Sequence, residues 1–392
     1  MREHARFVVR FSAGLSGTSR ECKRGACAGC SPMTLPVIAL LGRKDEPTDA
    51  IEEYCRYLGS ALHSCGIELE IQRVGWETKG WRDSLHTLRQ RSEGWSQAWV
   101  LVQYTALAWS ARGFPFRFLR VLRTLRKAGA RVGVVFHDAE PYSGSRAIDC
   151  LRRRVQTQTM RVATKLADTT IFTVPPEKLS WLSAAPRNAV FVPVGPNLPF
   201  PKTQIIANSD GIPTVGVFSI TGGKPGARET QDIILAIREA ANRVGQMRLS
   251  VFGRHAELRE IDLCQGLRGL PVEISIEGVA AGERIVNHLA ACDAFLFVRG
   301  GISTRRSSAI AGIAAGLPIV AYKNSETAPP ITDAGVVLIG ESQPEEAGKA
   351  LAGILSDPVL RRELRARSQA AYEAHFAWPA IAERYATLLK HA

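Results

Sequence analysis

Long hydrophobic runs are missing from this chain. No uninterrupted apolar segment reaches about 18 residues, the length that a membrane-spanning helix requires. The first apolar stretch, at residues 7–9, is broken at once by Arg10, which argues against a secretory signal. Heptads, short repeats and low-complexity blocks are absent too. The 392 residues, 45% hydrophobic and 22% charged, therefore have the composition of a soluble globular protein long enough for two domains.

Residue patterns that hold metal ions are also scarce. There is no Asp-x-Asp pair, and outside residues 1–32 the cysteines and histidines lack metal-ligand spacing, so we expect no metal and no cofactor. Scattered cysteines in apolar segments indicate a reducing, cytoplasmic compartment. The cluster Cys22-x4-Cys27-x2-Cys30 matches three ligands of a plant-type ferredoxin centre but lacks a fourth. A cluster site is one interpretation; a poorly ordered basic leader ahead of a true start at Met33 is the one we adopt.

Acidic residues are outnumbered, with 37 Asp and Glu against 50 Lys and Arg, for a formal charge of +13. Such an excess indicates a phosphate-bearing partner: nucleic acid, an anionic membrane or a nucleotide. Because no RNA- or DNA-reading motif is present, we expect no nucleic acid. The segment from Arg112 to Arg131 has seven basic and no acidic residues, interleaved with apolar ones. It suits either an anionic membrane surface or the solvated face of a cytosolic helix, so the expected location is cytoplasmic, with peripheral attachment to the inner membrane face left open.

Short apolar strands alternate with amphipathic helices from residue 35 onward. This alternation predicts right-handed βαβ units and parallel sheets. The first series has strands at 37–41, 69–74, 99–102, 132–136, 170–174 and 189–192, with helices at 50–65, 116–128 and 151–166. The second has strands near 214–218, 247–252, 272–276, 294–298 and 318–322.

Four prolines and a glycine between Pro193 and Lys202 predict a linker without regular structure. We expect a leader at 1–32, a first domain at 33–198, a second domain at 199–372, and a helix at 373–392 that returns to the first domain. The fold class is therefore α/β, with two doubly wound domains facing each other across a cleft. Ligands of such sheets bind at the carboxyl ends of the strands, so the cleft is the expected site.

The segment from Asp293 to Tyr322 predicts an anion-binding loop. An apolar strand ends at Gly300-Gly301, and a hydroxyl- and arginine-rich turn leads into a small-residue helix. A helix N-terminus beside arginines attracts phosphate, whereas an ordinary strand-to-helix turn would need no arginines there. The candidate phosphate ligands of this loop are Gly301, Ser303, Thr304, Arg305, Arg306 and Ser307.

These patterns together resemble the nucleotide-sugar glycosyltransferases of the GT-B fold, in particular the large retaining family 4. The resemblance runs from about Leu35 to the C-terminus. It rests on the segments PVGPNLP, VFGRHAEL, IEGVAAGERIVNHLAACDAFLFV and AAGLPIVAY followed by DAGVVLI, and in the first half on VLVQYTALAW and VVFHDAE. It implies two Rossmann-like domains.

In the second domain the resemblance implies a site for the donor diphosphate. RETQDIILA matches the family's lysine-glycine helix start, which places Arg228 at the lysine position and Lys224 one turn earlier. Both are candidate catalytic cations. Gly253 with Arg254, and Gly278 with Val279, fall where the family frames the nucleobase, although plain strand-end turns remain an alternative for them.

In the first domain His137 ends a strand and matches the family's histidine beside the reacting sugar. A satisfied structural histidine is the alternative. Gly42, Thr48 and Asp49 lie on the loop where the family cradles acceptor and phosphate against a helix N-terminus.

One departure from the family is serious. Its two glutamates, eight positions apart, align with Ser303 and Ala311, so both carboxylates are absent. Some members of the wider group have a Gly-x-Ser-x-Arg-Arg run instead, and there Ser303, Arg305 and Arg306 would contact the diphosphate.

The resemblance implies a hexosyltransferase-like enzyme of polysaccharide biosynthesis. It would move a sugar from a nucleotide-sugar donor to a glycan or lipid-linked acceptor, without a metal and with retention of configuration. A catalytically weak homologue that acts as a binding or scaffold protein is the second hypothesis, because the two carboxylates are missing.

Overall fold

Two parallel six-stranded sheets organise residues 37–46, 48–200 and 211–391, the parts of the chain that this computed structural model describes. The predicted leader with Cys22, Cys27 and Cys30, the proposed start at Met33, and the end of the linker at Lys202 lie outside those ranges. The described residues form one compact unit.

The first lobe contains one sheet with the strand order β2-β1-β3-β4-β5-β6. Every strand pairs in parallel with its neighbours, as the alternating pattern predicts. Its elements are β1 Val37–Leu41, α1 Ala50–His63, β2 Leu69–Arg73, α2 Trp76–Ser92, β3 Trp99–Tyr104, α3 Phe118–Lys127, β4 Arg131–Phe136, α4 Ala147–Leu166, β5 Thr169–Phe172 and β6 Ala189–Phe191.

The second lobe has the strand order β12-β11-β10-β7-β8-β9, which is that of a dinucleotide-binding Rossmann sheet. Its elements are β7 Thr214–Phe218, α5 Gly223–Val244, β8 Met247–Phe252, α6 Glu260–Gly266, β9 Val272–Glu277, α7 Gly282–Ala290, β10 Ala294–Phe297, α8 Ser307–Ala314, β11 Ile319–Tyr322, β12 Val336–Ile339, α9 Pro344–Ser356, α10 Pro358–Ala371 and α11 Trp378–His391.

Buried apolar residues explain why these segments form a layered fold. Strands β1 and β3 are buried along their whole length, because helices cover both faces of the sheet. Helix α3 shows the complementary pattern: Phe118, Val121, Leu122 and Leu125 recur at three- and four-residue spacing and are all buried. Its basic residues are thereby left on the outer face.

The last helix, α11, packs against α1 of the first lobe. The hydroxyl groups of Tyr54 and Tyr385 are 2.9 Å apart, and Trp99 Nε1 donates to the Leu389 carbonyl at 3.1 Å. Trp378 Nε1 donates to the Pro196 carbonyl in the linker at 2.8 Å. The chain therefore crosses between the lobes twice, once at the linker and once before α11.

The predicted alternation of strands and helices is confirmed, with differences at four elements. Helix α2 and strand β12 were not predicted as elements. Helix α4 begins at Ala147, four residues earlier than expected, and α3 begins later because Pro115–Arg117 forms a separate 3-10 turn. The linker has no helix or strand up to residue 200. Within the described ranges, none of the helices combines the length and the apolar character that crossing a membrane demands.

Candidate functional site

A cavity of about 620 Å³ lies where the two lobes face each other. Loops that follow β1, β7, β8, β9 and β10 all contribute to its wall. Strand order reverses between β7 and β10, and the crevice at such a reversal is where open α/β sheets bind ligands. The volume is within the range of small-molecule sites.

The two lobes contribute different kinds of residue to the lining of the cavity. The first lobe supplies one face of α1 and Thr48, which lies two residues ahead of that helix, and the second lobe supplies apolar residues, arginines and hydroxyls. The first-lobe and linker residues are Thr48, Ala50, Glu53, Arg56, Tyr57, Ser60, Asn197 and Leu198; the second-lobe residues are Phe218, Ser219, Gly253, Arg254, Val279, Ala280, Gly282, Ile285, Arg299, Ser307 and Ser308.

Two arginines give the second-lobe wall its positive charge. Arg299 follows β10, and its Nη1 is 3.4 Å from Ser308 Oγ, while its Nε is buried without a hydrogen-bond partner. Burial lowers the pKa of Arg299; the charge of Glu229 opposes the shift, and that of Arg254 adds to it. An arginine whose desolvation is not offset by a carboxylate in contact is suited to binding an anion.

The N-terminus of α8 adds backbone donors at the same place. No side chain caps this helix, and its first two residues, Ser307 and Ser308, line the cavity next to Arg299. Uncapped amides at a helix start carry partial positive charge and bind phosphate. Gly300 enters the preceding turn with φ 66°, a conformation that glycine adopts without strain.

Arg254 connects the two lobes above the cavity. It follows β8, and its Nε donates to Thr48 Oγ1 at 3.0 Å, while Nη2 contacts the Thr48 hydroxyl and carbonyl. Its Nη1 is 3.6 Å from a carboxylate oxygen of Asp45. The guanidinium is thus held by the loop after β1 while it still lines the cavity.

No protein-family model and no curated protein matches this chain. Solved structures do match. HepE of Anabaena, in complex with UDP and glucose, has a TM-score of 0.62 at 15% identity over 91% of this chain and 100% of its own. Sucrose-phosphate synthase of Thermosynechococcus elongatus has a TM-score of 0.61 at 17% identity over 91% and 98%. The lipopolysaccharide outer core galactosyltransferase WaaB, in its apo form, has 0.57 at 12% identity over 90% and 99%.

The chain has the GT-B fold. The expected fold class, two Rossmann-like domains across a cleft, is confirmed by these likenesses and by the two sheets. At identities below 20% the similarity establishes architecture, so the roles of individual residues depend on the geometry of this chain.

Five of the residues predicted from the sequence line the interlobe cavity of this GT-B fold, namely Thr48, Gly253, Arg254, Val279 and Ser307. Gly253 has φ 94°, and an added Cβ would meet Ser219 Oγ at 2.6 Å. Gly278 lies just outside the lining, where a Cβ would collide with the Glu257 carboxyl group. These turns are therefore shaped by close packing as well as by their position at strand ends.

The predicted cations Lys224 and Arg228 are not brought into the cavity. Both are exposed on the first turns of α5, and neither lines it. The amide of Thr221, two residues ahead of α5, donates a hydrogen bond to Glu229 at 2.7 Å. The structure thus assigns the cationic wall to Arg254 and Arg299 instead.

The side chains of the loop from Ser303 to Arg306 contact other parts of the protein rather than the cavity. Ser303 and Thr304 are both 0% exposed. Thr304 Oγ1 donates to the Thr173 carbonyl of the first lobe at 2.6 Å, and Ser303 Oγ donates to Glu326 at 3.0 Å. Their hydroxyl protons are therefore engaged within the protein, and their contact with a donor stays a prediction.

Arg305 and Arg306 differ from each other. Arg305 makes two hydrogen bonds to Glu326, of 2.7 and 2.9 Å, in a bidentate pair. Arg306 has a buried Nε without a partner; burial lowers its pKa to about 10, with the neighbouring charge of Arg305 adding to the shift. Neither lines the cavity, and Gly301, also predicted, packs against Asn324.

The loop after β1 does not present a free helix N-terminus to a phosphate. Asp49 Oδ1 accepts hydrogen bonds from the amides of Ile51 and Glu52, each 3.1 Å long, and so caps α1. Gly42 packs against Ala108, where a Cβ would meet the carbonyl oxygen at 2.2 Å. Of the three predicted residues on this loop, only Thr48 lines the cavity.

His137 lies at the carboxyl end of β4, partly buried and edge-on to the Tyr54 ring. Burial lowers its pKa to about 4, with the charge of Asp49 opposing the shift, so the imidazole is neutral at pH 7. Because Gln103 Nε2 donates to the Leu101 carbonyl, the Gln103 oxygen at 2.8 Å accepts from His137 Nε2–H. Nδ1 is then left as an acceptor for a hydroxyl group.

Sequence reasoning missed seven polar residues of the cavity: Glu53, Arg56, Tyr57, Ser60, Asn197, Ser219 and Arg299. Arg299 immediately precedes the Gly300-Gly301 turn, so its position at the end of β10 could have identified it. Glu53 shares one face of α1 with Ala50 and Tyr57. The sequence shows that these residues lie on one face, but it does not show that this face borders the cleft. Among residues 37–46, 48–200 and 211–391, no cluster of three or more His, Cys, Asp or Glu side chains could hold a metal ion.

Proposed function

We propose that this protein is a glycosyltransferase that moves a sugar from a nucleotide-sugar donor to a glycan or lipid-linked acceptor. The observation that carries the proposal is the cavity at the β7–β10 strand reversal of a GT-B fold, with Arg254, Arg299 and an uncapped α8 on one wall. UDP is present in the structure of HepE, and UDP-sugars are the first donors to test here.

Glycosyl transfer requires stabilisation of a departing diphosphate. A cation about 4 Å from one phosphate contributes roughly 4 kcal/mol at an effective dielectric of about 20. Arg254, Arg299 and the α8 amides would supply this charge without a metal, and only one carboxylate lines the described part of the cavity. We propose a metal-independent reaction with retention of configuration, as the family resemblance implies. His137 Nδ1 would accept a hydrogen bond from a sugar hydroxyl.

The acceptor side is the first lobe. Arg117, Arg120, Arg123 and Lys127 are exposed on and beside α3, and Phe116 next to them is 54% exposed. An apolar side chain among cations suits an anionic membrane, so we propose peripheral attachment at the cytoplasmic membrane face, where a lipid-linked acceptor would be found.

Sedimentation with vesicles tests this attachment. The wild type should bind vesicles rich in phosphatidylglycerol at low salt and release at high salt, because the attraction is screened. The Arg120→Glu/Arg123→Glu variant should lose most of this binding, at about 1 kcal/mol per basic residue removed. Arg268→Glu/Arg362→Glu, the same charge change on exposed second-lobe residues, should bind as the wild type does. Equal binding of both variants would contradict the proposal.

A donor screen tests the enzymatic proposal. UDP-, ADP- and GDP-sugars at about a hundred times Kd should raise the free energy of unfolding by about 2.7 kcal/mol, which thermal denaturation detects. Release of nucleoside diphosphate with an acceptor mixture should accompany binding.

Since Ser303 and Ala311 are buried and bear no carboxylate, a scaffold protein is the second candidate. Binding without turnover would favour it, and no stabilisation by any donor would overturn the first proposal.

A further inference from the structure

The cavity contains a carboxylate that the proposed reaction does not use. Helix α1 turns Ala50, Glu53, Tyr57 and Ser60 toward the cavity, because residues three and four apart share one helix face. Glu53 is the one acidic residue of the lining within the described ranges. It faces a wall that is otherwise positive, apolar or hydroxyl-bearing.

The carboxylate of Glu53 has no hydrogen bond or ion pair to another described residue, unlike that of its neighbour Glu52, which pairs with Arg73 at 2.7 Å. Burial raises the pKa of Glu53, and the charge of Arg254 only partly opposes this. The carboxylate is therefore partly desolvated without full compensation inside the protein.

The chemistry of a free carboxylate limits its partner. An ionised carboxylate only accepts hydrogen bonds, and it repels phosphate, so it does not bind the diphosphate itself. Three arginines and this one glutamate give the lining a net charge of +2, which complements a nucleoside diphosphate bearing hydroxyl groups. A vicinal diol can donate two hydrogen bonds to the two carboxylate oxygens.

We propose that Glu53 is a specificity residue that binds a vicinal diol of the nucleotide sugar, reaching across from the first lobe to a ligand held by Arg254 and Arg299. The inference rests on the proposed function. Both the ribose and the transferred sugar offer such a diol, so the test must distinguish them.

Binding calorimetry on the full chain, wild type and Glu53→Gln, separates these sources. The probes are UDP, ADP and GDP, their 2′,3′-dideoxy counterparts, and the corresponding glucose conjugates. If the ribose is bound, the wild type prefers the ribonucleotide to the dideoxy form by about ten- to hundredfold, and Glu53→Gln loses that preference. If the transferred sugar is bound, Glu53→Gln weakens the glucose conjugate by a similar factor and leaves the diphosphate unchanged.

Glu68→Gln is the matched control, because Glu68 is exposed just after α1 and outside the cavity. It should leave both ratios as in the wild type, and thermal denaturation should show that both variants fold. Nucleotide binding with both ratios unaltered in Glu53→Gln would overturn this inference alone. Failure of the wild type to bind any probe would overturn the proposed function and this inference with it.

Discussion

Arg299→Ala should weaken binding of the donor diphosphate about a hundredfold. Loss of a preorganised cation at a developing or bound anion costs about 3 kcal/mol, and each 1.4 kcal/mol is a factor of about ten in affinity. The same change should leave the unliganded protein as stable as before or stabilise it, because Arg299 is desolvated with an unpartnered Nε and a repulsive neighbour in Arg254. Calorimetry with UDP and thermal denaturation measure the two quantities.

Lys224→Ala and Arg228→Ala are the matched controls. Each removes one positive charge from the second lobe, and both residues are exposed outside the cavity. We expect affinity to change less than about threefold, the size of a screened surface effect. If Arg228→Ala weakens binding more than Arg299→Ala does, the family-based position is the functional one, and the cavity does not bind the diphosphate.

The fold could be predicted because the hydrophobic patterns that determine it lie within single strands and helices. Buried parallel strands such as β1 and β3 are apolar almost throughout, and the amphipathic helices between them show three- and four-residue periodicity. Helix α2 escaped prediction because its mean character is polar and Gly80 interrupts it with φ 75°. Strand β12 is short and only partly buried, so its pattern is weak.

The site could be predicted only where position along a strand fixes position in space. Arg254 and Val279 lie two residues after β8 and β9, and the carboxyl ends of parallel strands converge on the cleft. The run from Ser303 to Arg306 has the composition of a phosphate loop, yet its hydroxyls and Arg305 are engaged with Thr173 and Glu326. Thr173 and Glu326 are distant from this run in the sequence, so no local sequence pattern predicts that they contact it.

Glu326→Leu should lower the free energy of unfolding by about 3 to 5 kcal/mol, the cost of leaving a buried charge without its partner. Glu326 is 4% exposed and accepts hydrogen bonds from Arg305 and Ser303. Burial raises its pKa, but the hydrogen bonds and charge of Arg305 outweigh burial and hold it below its ordinary value of 4.5. The stabilisation is therefore complete above about pH 4.5 and is lost as the pH falls through the lower folded-state pKa. Urea denaturation at pH 7 and at lower pH measures it.

The double variant Arg305→Met/Glu326→Leu distinguishes a missing partner from lost packing. Removing both charges should recover most of the loss, because two apolar side chains of similar size leave no unpaired guanidinium. The recovery should be incomplete: Ser303 loses its acceptor, and Asp138 loses the charge of Arg305 that lowers its burial-raised pKa. If the double variant is as unstable as Glu326→Leu, the pair does not carry the stability, and loss of packing in this loop is the cause. If it is fully stable and binds donor normally, Arg305 is needed neither for stability nor for the ligand.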